Sequence, residues 1–583
     1  MTQDERRQRG SSRRRFIRDT AAVAASATMF GAAAQPTKPP AKPRHLDPDL
    51  MLINGKIHTM DAENSVVSSV AIKNGRFIAT GSGRAQPMLP GRETQVIDLR
   101  GRTVVPGIID NHNHLVLMGN RPGYHTPLEN AYSIADVQAI YAARAADIPN
   151  GAWITTIGGF HFNHIYADPA NKESGRFPTR AELDAAVPNN PVFMAISFSG
   201  PGATNSLGRS ILQAQGVTVA DDGGIAGGFP TSECTEALLY LRQTLLNPEE
   251  RRRSVLDAMS YAASLGVTTH LDQGAFQSTN TPTDGAAHED NFTMHIPFLE
   301  IYEQGKGIVR LRINFLHMET DDATPELMQR LKNAFPFIGD EWVKTGGIGE
   351  FITQGTGPRF LEAARKVAKA GWRAEVHSLG RRATPTSAAP DFELEISAFE
   401  AVNNEFPGVV GNKRWVVAHV PGITQEWINR LKAIGGGLSL TGWQYLAGSI
   451  PALSVTPFAG PPFRWVVDSG IHAGMSSDGM QIAPMNPWIH MYFATTGVNA
   501  RGAAINPGQQ ITRQEVLALY TSHNGWFLRE ENDLGSIEVG KLGDLVVLNS
   551  DYFAVPNEDL KKIRSVLTVV GGNVVYDAGV LPR

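Results

Sequence analysis

The chain has 583 residues, 42 % of them hydrophobic and 19 % charged, with a formal net charge of -4. That length exceeds one ordinary domain and suits a large enzyme core with attachments. The near-neutral balance leaves no basic footprint for nucleic acid, and the single cysteine, Cys234, excludes an intramolecular disulfide or a cysteine-built metal cluster.

At the N-terminus Ser12-Arg13-Arg14-Arg15-Phe16 precedes an alanine-rich stretch from Thr20 to Ala34 that closes on Ala32-Ala33-Ala34. This resembles a twin-arginine export signal, a receptor-read address and not an anchor. The resemblance implies a signal over 1–34, a Pro/Lys-rich linker over 35–48, contact with the Tat export machinery, and a periplasmic or secreted destination. No later run approaches the roughly 18 apolar residues of a spanning helix, so stable membrane insertion is not expected.

From 49 to 103 come short runs of strand character bounded by turn residues, with Lys73-Asn74-Gly75-Arg76 as a hairpin signal. They make a small β-domain that looks incomplete. Matching strands lie at the other end, in Asp544-Leu545-Val546-Val547-Leu548, Val566-Leu567-Thr568-Val569-Val570 and Asn573-Val574-Val575-Tyr576.

Between them stands Val104-Val105-Pro106-Gly107-Ile108-Ile109-Asp110-Asn111-His112-Asn113-His114-Leu115. An apolar run closed by polar residues reads as a buried strand, and side chains two apart on a strand point the same way, so His112 and His114 can reach one metal ion together. The stretch resembles the first barrel strand of the amidohydrolase superfamily, Pro-Gly-x-x-Asp-x-His-x-His. The tail Gly535-Ser536-Ile537-Glu538-Val539-Gly540-Lys541-Leu542-Gly543-Asp544 is similar to that family's C-terminal stretch, and the span from Met51 to Tyr576 resembles the family 3 branch that includes N-substituted formamide deformylases.

The resemblance implies an α/β fold: a (β/α)8 TIM barrel over 104–530, and a small β-sandwich shared by 49–103 and 531–583. Candidate barrel strands are 103–110, 267–272, 309–316, 341–345, 372–377, 414–419, 437–440 and 472–477, with helices such as 248–265 and 359–370 between them. The interval 115–266 is too long for one crossover and reads as an inserted subdomain.

Ordered along those strand ends, the resemblance implies a metal set of His112, His114, Lys344, His377, His419 and Asp478. Lys344 would be carboxylated and bridging, and Asp478 would be both ligand and catalytic proton shuttle. Imidazole and carboxylate ligands suit a divalent ion, zinc first, with manganese or iron as alternatives and one or two ions bound. His161, Arg381, Trp443 and Tyr445 are candidate substrate contacts; Arg381, in His377-Ser378-Leu379-Gly380-Arg381, puts a cation where relatives carry a carboxylate. His270 and His317 read as inward-facing or supporting groups. The implied function is a hydrolase that uses a metal-activated hydroxide to cleave a C–N bond (amide, N-formyl or N-acyl) of a small molecule. Lactone or ester hydrolysis, deamination of a cyclic imine, and a non-catalytic metal-binding barrel stay open, as does a homodimer.

Overall fold

The computed structural model describes residues 47–82, 89–167, 175–228, 231–274, 293–382, 389–446, 460–480 and 482–582. The expected export signal over 1–34 and most of the expected linker over 35–48 lie outside the described residues. Eight parallel strands form two four-stranded sheets. One runs Val343–Ile348, Arg310–Phe315, Val267–Asp272, Ile108–Asn113; the other runs Glu375–His377, Val416–His419, Gly437–Thr441, His472–Ser476. Among the described residues the hydrogen-bonded pairing gives this pair of sheets and not one continuous eight-stranded sheet. Their edges meet at isolated points: Ile348 bridges Ala374, and the Asp478 amide donates to the His112 carbonyl at 2.9 Å.

Seven of these eight strands follow a helix in the chain, and Pro248–Leu265 shows how local sequence sets its ends. For Pro248–Leu265, Asn247 caps the first turn by accepting from the Glu250 amide, Pro248 takes the position that lacks an intrahelical donor, and Gly266 ends the helix at φ 87°. The strand Val267–Asp272 then starts at once. Val255, Ala258, Met259 and Ala262 form the buried face of this helix. Removing the cap (Asn247→Ala) would cost about 1 kcal/mol.

The stretch expected as one strand from 103 to 110 is two. Thr103–Pro106 pairs antiparallel with Leu545–Leu548, and after Gly107 the chain enters Ile108–Asn113, parallel to Val267–Asp272. A Cβ on Gly107 would sit 2.2 Å from the Thr268 hydroxyl, so only glycine allows the changeover between sheets. Asn54, at φ 58°, makes the same kind of break between Leu50–Ile53 and Lys56–His58.

The terminal segments build two sheets. Four strands order as Arg76–Gly81, Ser69–Lys73, Leu50–Ile53, Gln95–Asp98; six order as Asn573–Asp577, Ser565–Val570, Leu545–Leu548, Thr103–Pro106, Lys56–His58, Val66–Val67. Side chains from both, including Leu52, Ile72, Val104, Val547 and Val569, share one apolar cluster. Within 115–266, a mixed five-stranded sheet from Tyr124–His125 to Gly224–Ile225 has apolar clusters of its own, around Tyr141 and Met194 and around Phe193 and Leu238. Cys234 is buried there as a free thiol.

Candidate metal centre

The C-terminal ends of the parallel strands converge on a closed polar pocket. Parallel strands carry side chains to a common rim, and in α/β folds that rim is where ligands bind. His112 on Ile108–Asn113, Glu350 just after Val343–Ile348, His419 ending Val416–His419, and Asp478 just after His472–Ser476 place one ligand atom each within 4.8 Å of one another, all buried. Glu350 is the hub. Its Oε2 lies 2.6 Å from His377 Nδ1, 3.0 Å from His419 Nε2 and 3.3 Å from His112 Nε2, and its Oε1 lies 3.4 Å from His114 Nε2. Asp478 Oδ1 approaches His114 Nε2 at 3.0 Å, and Asp478 Oδ2 accepts from the Trp443 indole.

Outer contacts aim these rings. His112 Nδ1 is bonded to Glu375 Oε1 at 2.6 Å, His114 Nδ1 to the Gly274 carbonyl at 2.9 Å, and His419 Nδ1 to Thr441 at 3.1 Å, so all three present Nε2 to the carboxylates. Glu375 is held in turn by Arg373 at 2.7 Å and Asn314 at 3.3 Å. Below lies a buried polar layer. Asn524 accepts from the Asn111 amide at 2.6 Å, and Ser439 donates to Asn111 at 2.6 Å. A Cβ on Gly474 would come within 1.9 Å of Asn524 Oδ1, so the strand must carry glycine there.

Electrostatics follow from burial and pairing. Burial works against charge on Asp478, yet the nearby imidazoles of His112 and His114 hold its carboxyl well below the ordinary range. Glu350 is depressed too, burial again opposing and the His377 ring leading the stabilisation. The same carboxylates overcome burial at His114 and raise it to about 10, whereas burial and the neighbouring imidazoles push His419 down to about 3.

The residues fit a divalent ion. The donors are borderline nitrogen and hard oxygen, three rings are fixed by their outer nitrogens, and His112 Nε2 is buried without hydrogen-bond geometry to either carboxylate beside it. His112, His114, Glu350, His419 and Asp478 would hold the ion, with His377, on the same Glu350 oxygen as His419, beside them.

Of the residues expected from sequence, His112, His114, His377, His419 and Asp478 are brought together and Lys344 is not. Lys344 lies near the start of Val343–Ile348, six residues before Glu350, or roughly 20 Å of extended chain. Its ammonium is paired with Glu530, which also binds Arg312 at 2.7 Å. Glu350, which sequence reasoning missed, stands among the histidines and would serve in the place expected for Lys344. Its signal was position: an acid directly after Gly346-Gly347-Ile348-Gly349, at the strand's C-terminal end. Glu375, two residues before His377, was missed too.

Trp443 belongs to the centre, its ring 3.9 Å from that of His419. Arg381 is half-exposed, bonded to Asp391 at 3.0 Å, and lines a cavity together with Glu350 and His377. Tyr445 is buried against His164 and Tyr492, and His161 stacks on Phe162 while accepting from the Asn163 amide. Neither makes a described contact with the cluster. His270 supports Asn113 at 2.7 Å, and His317 is fully buried.

The fold is that of metal-dependent hydrolases. A TM-score of 0.56 relates it, at 17 % identity, to an uncharacterized metal-dependent hydrolase from Pyrococcus horikoshii, covering 87 % of this chain and 99 % of that one. Atrazine chlorohydrolase TrzN from Arthrobacter aurescens, solved with zinc, matches at a TM-score of 0.51 and 14 % identity over 91 % of this chain and 95 % of its own. The chain belongs to the amidohydrolase family, which it matches over residues 95–576. In sequence it is 24 % identical to N-substituted formamide deformylase of Arthrobacter pascens, over 91 % of this chain and 98 % of that protein.

Proposed function

We propose that this protein hydrolyses a C–N bond, an amide, N-formyl or N-acyl group, of a small molecule. The observation that carries the reading is the buried convergence of His112, Glu350, His419 and Asp478 at the strand ends. Full-length similarity to a formamide deformylase supports the bond type. A divalent ion in this site, zinc first by its donor set, would acidify a water molecule and polarise a carbonyl.

The chain's own residues supply the rest. Trp443 fixes Oδ2 of Asp478, which leaves Oδ1 at the cluster to take a proton from the attacking water and return it to the leaving nitrogen. Water adds its hydroxyl to the acyl carbon, the C–N bond breaks, and an acid and an amine leave. Glu375, through His112, and Thr441, through His419, hold the rings in one tautomer and orientation. A panel of N-formyl, N-acyl, ester, lactone and cyclic-imine compounds on metal-reconstituted protein tests the reading. Amine release from the amides without ammonia supports it; turnover of esters or lactones alone, ammonia from the imines, or no turnover at all removes it.

The same proposal takes the two parallel sheets as halves of a (β/α)8 barrel over 104–530. The contacts Ile348 to Ala374 and Asp478 to His112 support closure. The two terminal sheets would be a sandwich over their shared apolar cluster, and 115–266 an inserted subdomain. Residues 1–34 would direct Tat export to the periplasm.

A further inference from the structure

Glu129, within 115–266, is fully buried, and its carboxylate meets donors from two other parts of the chain. The Met485 amide donates to Oε1. The Asn486 amide, at 3.0 Å, and the Tyr261 hydroxyl, at 2.8 Å, donate to Oε2. The next residue, Asn130, accepts from the Asn486 side chain at 2.9 Å. Met485 and Asn486 are buried and lead into the helix Pro487–Thr496, so one glutamate supplies the acceptors for two consecutive N–H groups shut off from water.

Those two residues press on the one that follows Asp478. A Cβ on Gly479 would come within 2.6 Å of the Met485 nitrogen, and Gly479 also bridges Ala483. Gly159 lets the insertion reach the same place: a Cβ there would lie 2.6 Å from the Met480 sulfur and 3.3 Å from Glu129 Oε1. Arg121 adds a second hold by donating to the Met480 carbonyl at 2.9 Å. Asp478 needs such support. Its φ is 56°, in the left-handed region, which a residue with a side chain keeps only where its surroundings hold it.

We propose that Glu129 is a positioning residue for Asp478: by holding the Met485 and Asn486 amides it fixes the backbone packed on Gly479, and so keeps the Asp478 carboxylate turned to the metal centre. The inference rests on the hydrolase reading for turnover, but not for metal binding. The path is short and made of direct contacts, from the Glu129 carboxylate to the Met485 amide, from Met485 to Gly479, and from Gly479 to Asp478 along the chain. A leucine could fill the same space, but it would leave both amides without an acceptor and the turn free to shift.

The test measures zinc affinity of the full chain by chelator competition in wild type, Glu129→Gln, Asp478→Ala and the double variant. It is run at pH 8, above the value of about 7 to which burial pushes the Glu129 carboxyl against its donors. Glutamine keeps the size but turns an NH2 toward a backbone N–H. Glu129→Gln should weaken zinc about tenfold in wild type, the scale of a changed outer partner, and about twofold or less in Asp478→Ala, where no carboxylate is left to position. A glutamate that only satisfies two amides would lower stability and leave affinity alone, or shift it equally in both backgrounds; either result overturns the proposal. If Glu129→Gln does not fold, Tyr261→Phe takes one donor from the carboxyl and should show about threefold in wild type and no change in Asp478→Ala, with equal effects again overturning it. Coupling in zinc affinity without amide turnover would remove the hydrolase reading and keep the positioning role.

Discussion

The Trp443 indole N–H donates to Oδ2 of Asp478, while Oδ1 of the same carboxylate faces His114 Nε2 at 3.0 Å. One side chain thus keeps two oxygens on separate duties. Trp443→Phe removes the donor and little of the ring packing against His419. We expect bound metal to stay within about a third of wild type and kcat per metal to fall about tenfold, the effect of loosening a positioned acid–base group. Unchanged kcat would reduce Trp443 to packing.

Asp478→Asn keeps the size and one ligating oxygen but cannot accept a proton. The expected loss in kcat is roughly 10²- to 10⁴-fold with metal largely retained. Elemental analysis alongside single-turnover kinetics separates this from simple metal loss, which would instead point to a ligand-only role.

Lys344 and Glu350 make opposite predictions. Glu350→Ala should strip the ion, because four imidazoles lose their shared carboxylate. Lys344→Ala should keep metal and activity and cost about 1 kcal/mol or less, since its partner Glu530 still has Arg312 and the pair is partly exposed. Loss of metal from Lys344→Ala would restore the lysine as a bridge.

Glu375→Gln leaves His112 in place but weakens the group that orients it. Metal affinity should drop about 10- to 100-fold, as is usual when such an outer partner is changed. Competition with a calibrated chelator reads this directly, and an affinity within about twofold of wild type would count against the orienting role.

Acid should unfold the protein through histidines outside the centre. Burial, and to a smaller extent nearby cations, depress His164 and His295 to about 3. The unfolded chain takes up these protons near pH 6.5 while the folded one does not, so stability present above that pH is lost progressively as pH falls toward 3. Urea midpoints at pH 7 and 5 should differ, and His164→Leu should narrow the difference; an equal slope in the variant would exclude His164.

The sequence shows most of the centre because strand-end histidines are punctuated by long apolar runs, and His112-Asn113-His114 is legible from period two alone. Lys344 misled for a physical reason. A lysine inside Trp342-Val343-Lys344-Thr345 matches a family pattern, but only the register of the strand decides whether it reaches the rim or the base, and register is not written in the local run. Glu350 was hidden behind four residues, three of them glycine, that carry no periodicity. The split at Gly107 was equally invisible, because Val104 to Ile109 is apolar on both sides of the break. The two-sheet arrangement of the terminal segments depends on pairing across more than 400 residues, between Thr103–Pro106 and Leu545–Leu548, which no local signal encodes.

That pairing has a temporal meaning. Thr103–Pro106 leads straight into the strand that bears His112, and the Gly107 amide is fastened to the Asp544 carbonyl at 3.0 Å. The strand that carries His112 and leads into His114 therefore gains this anchor only once the residues near 544 are present. A chain cut short near residue 540 would keep every residue of the candidate centre and lose the anchor that places two of them.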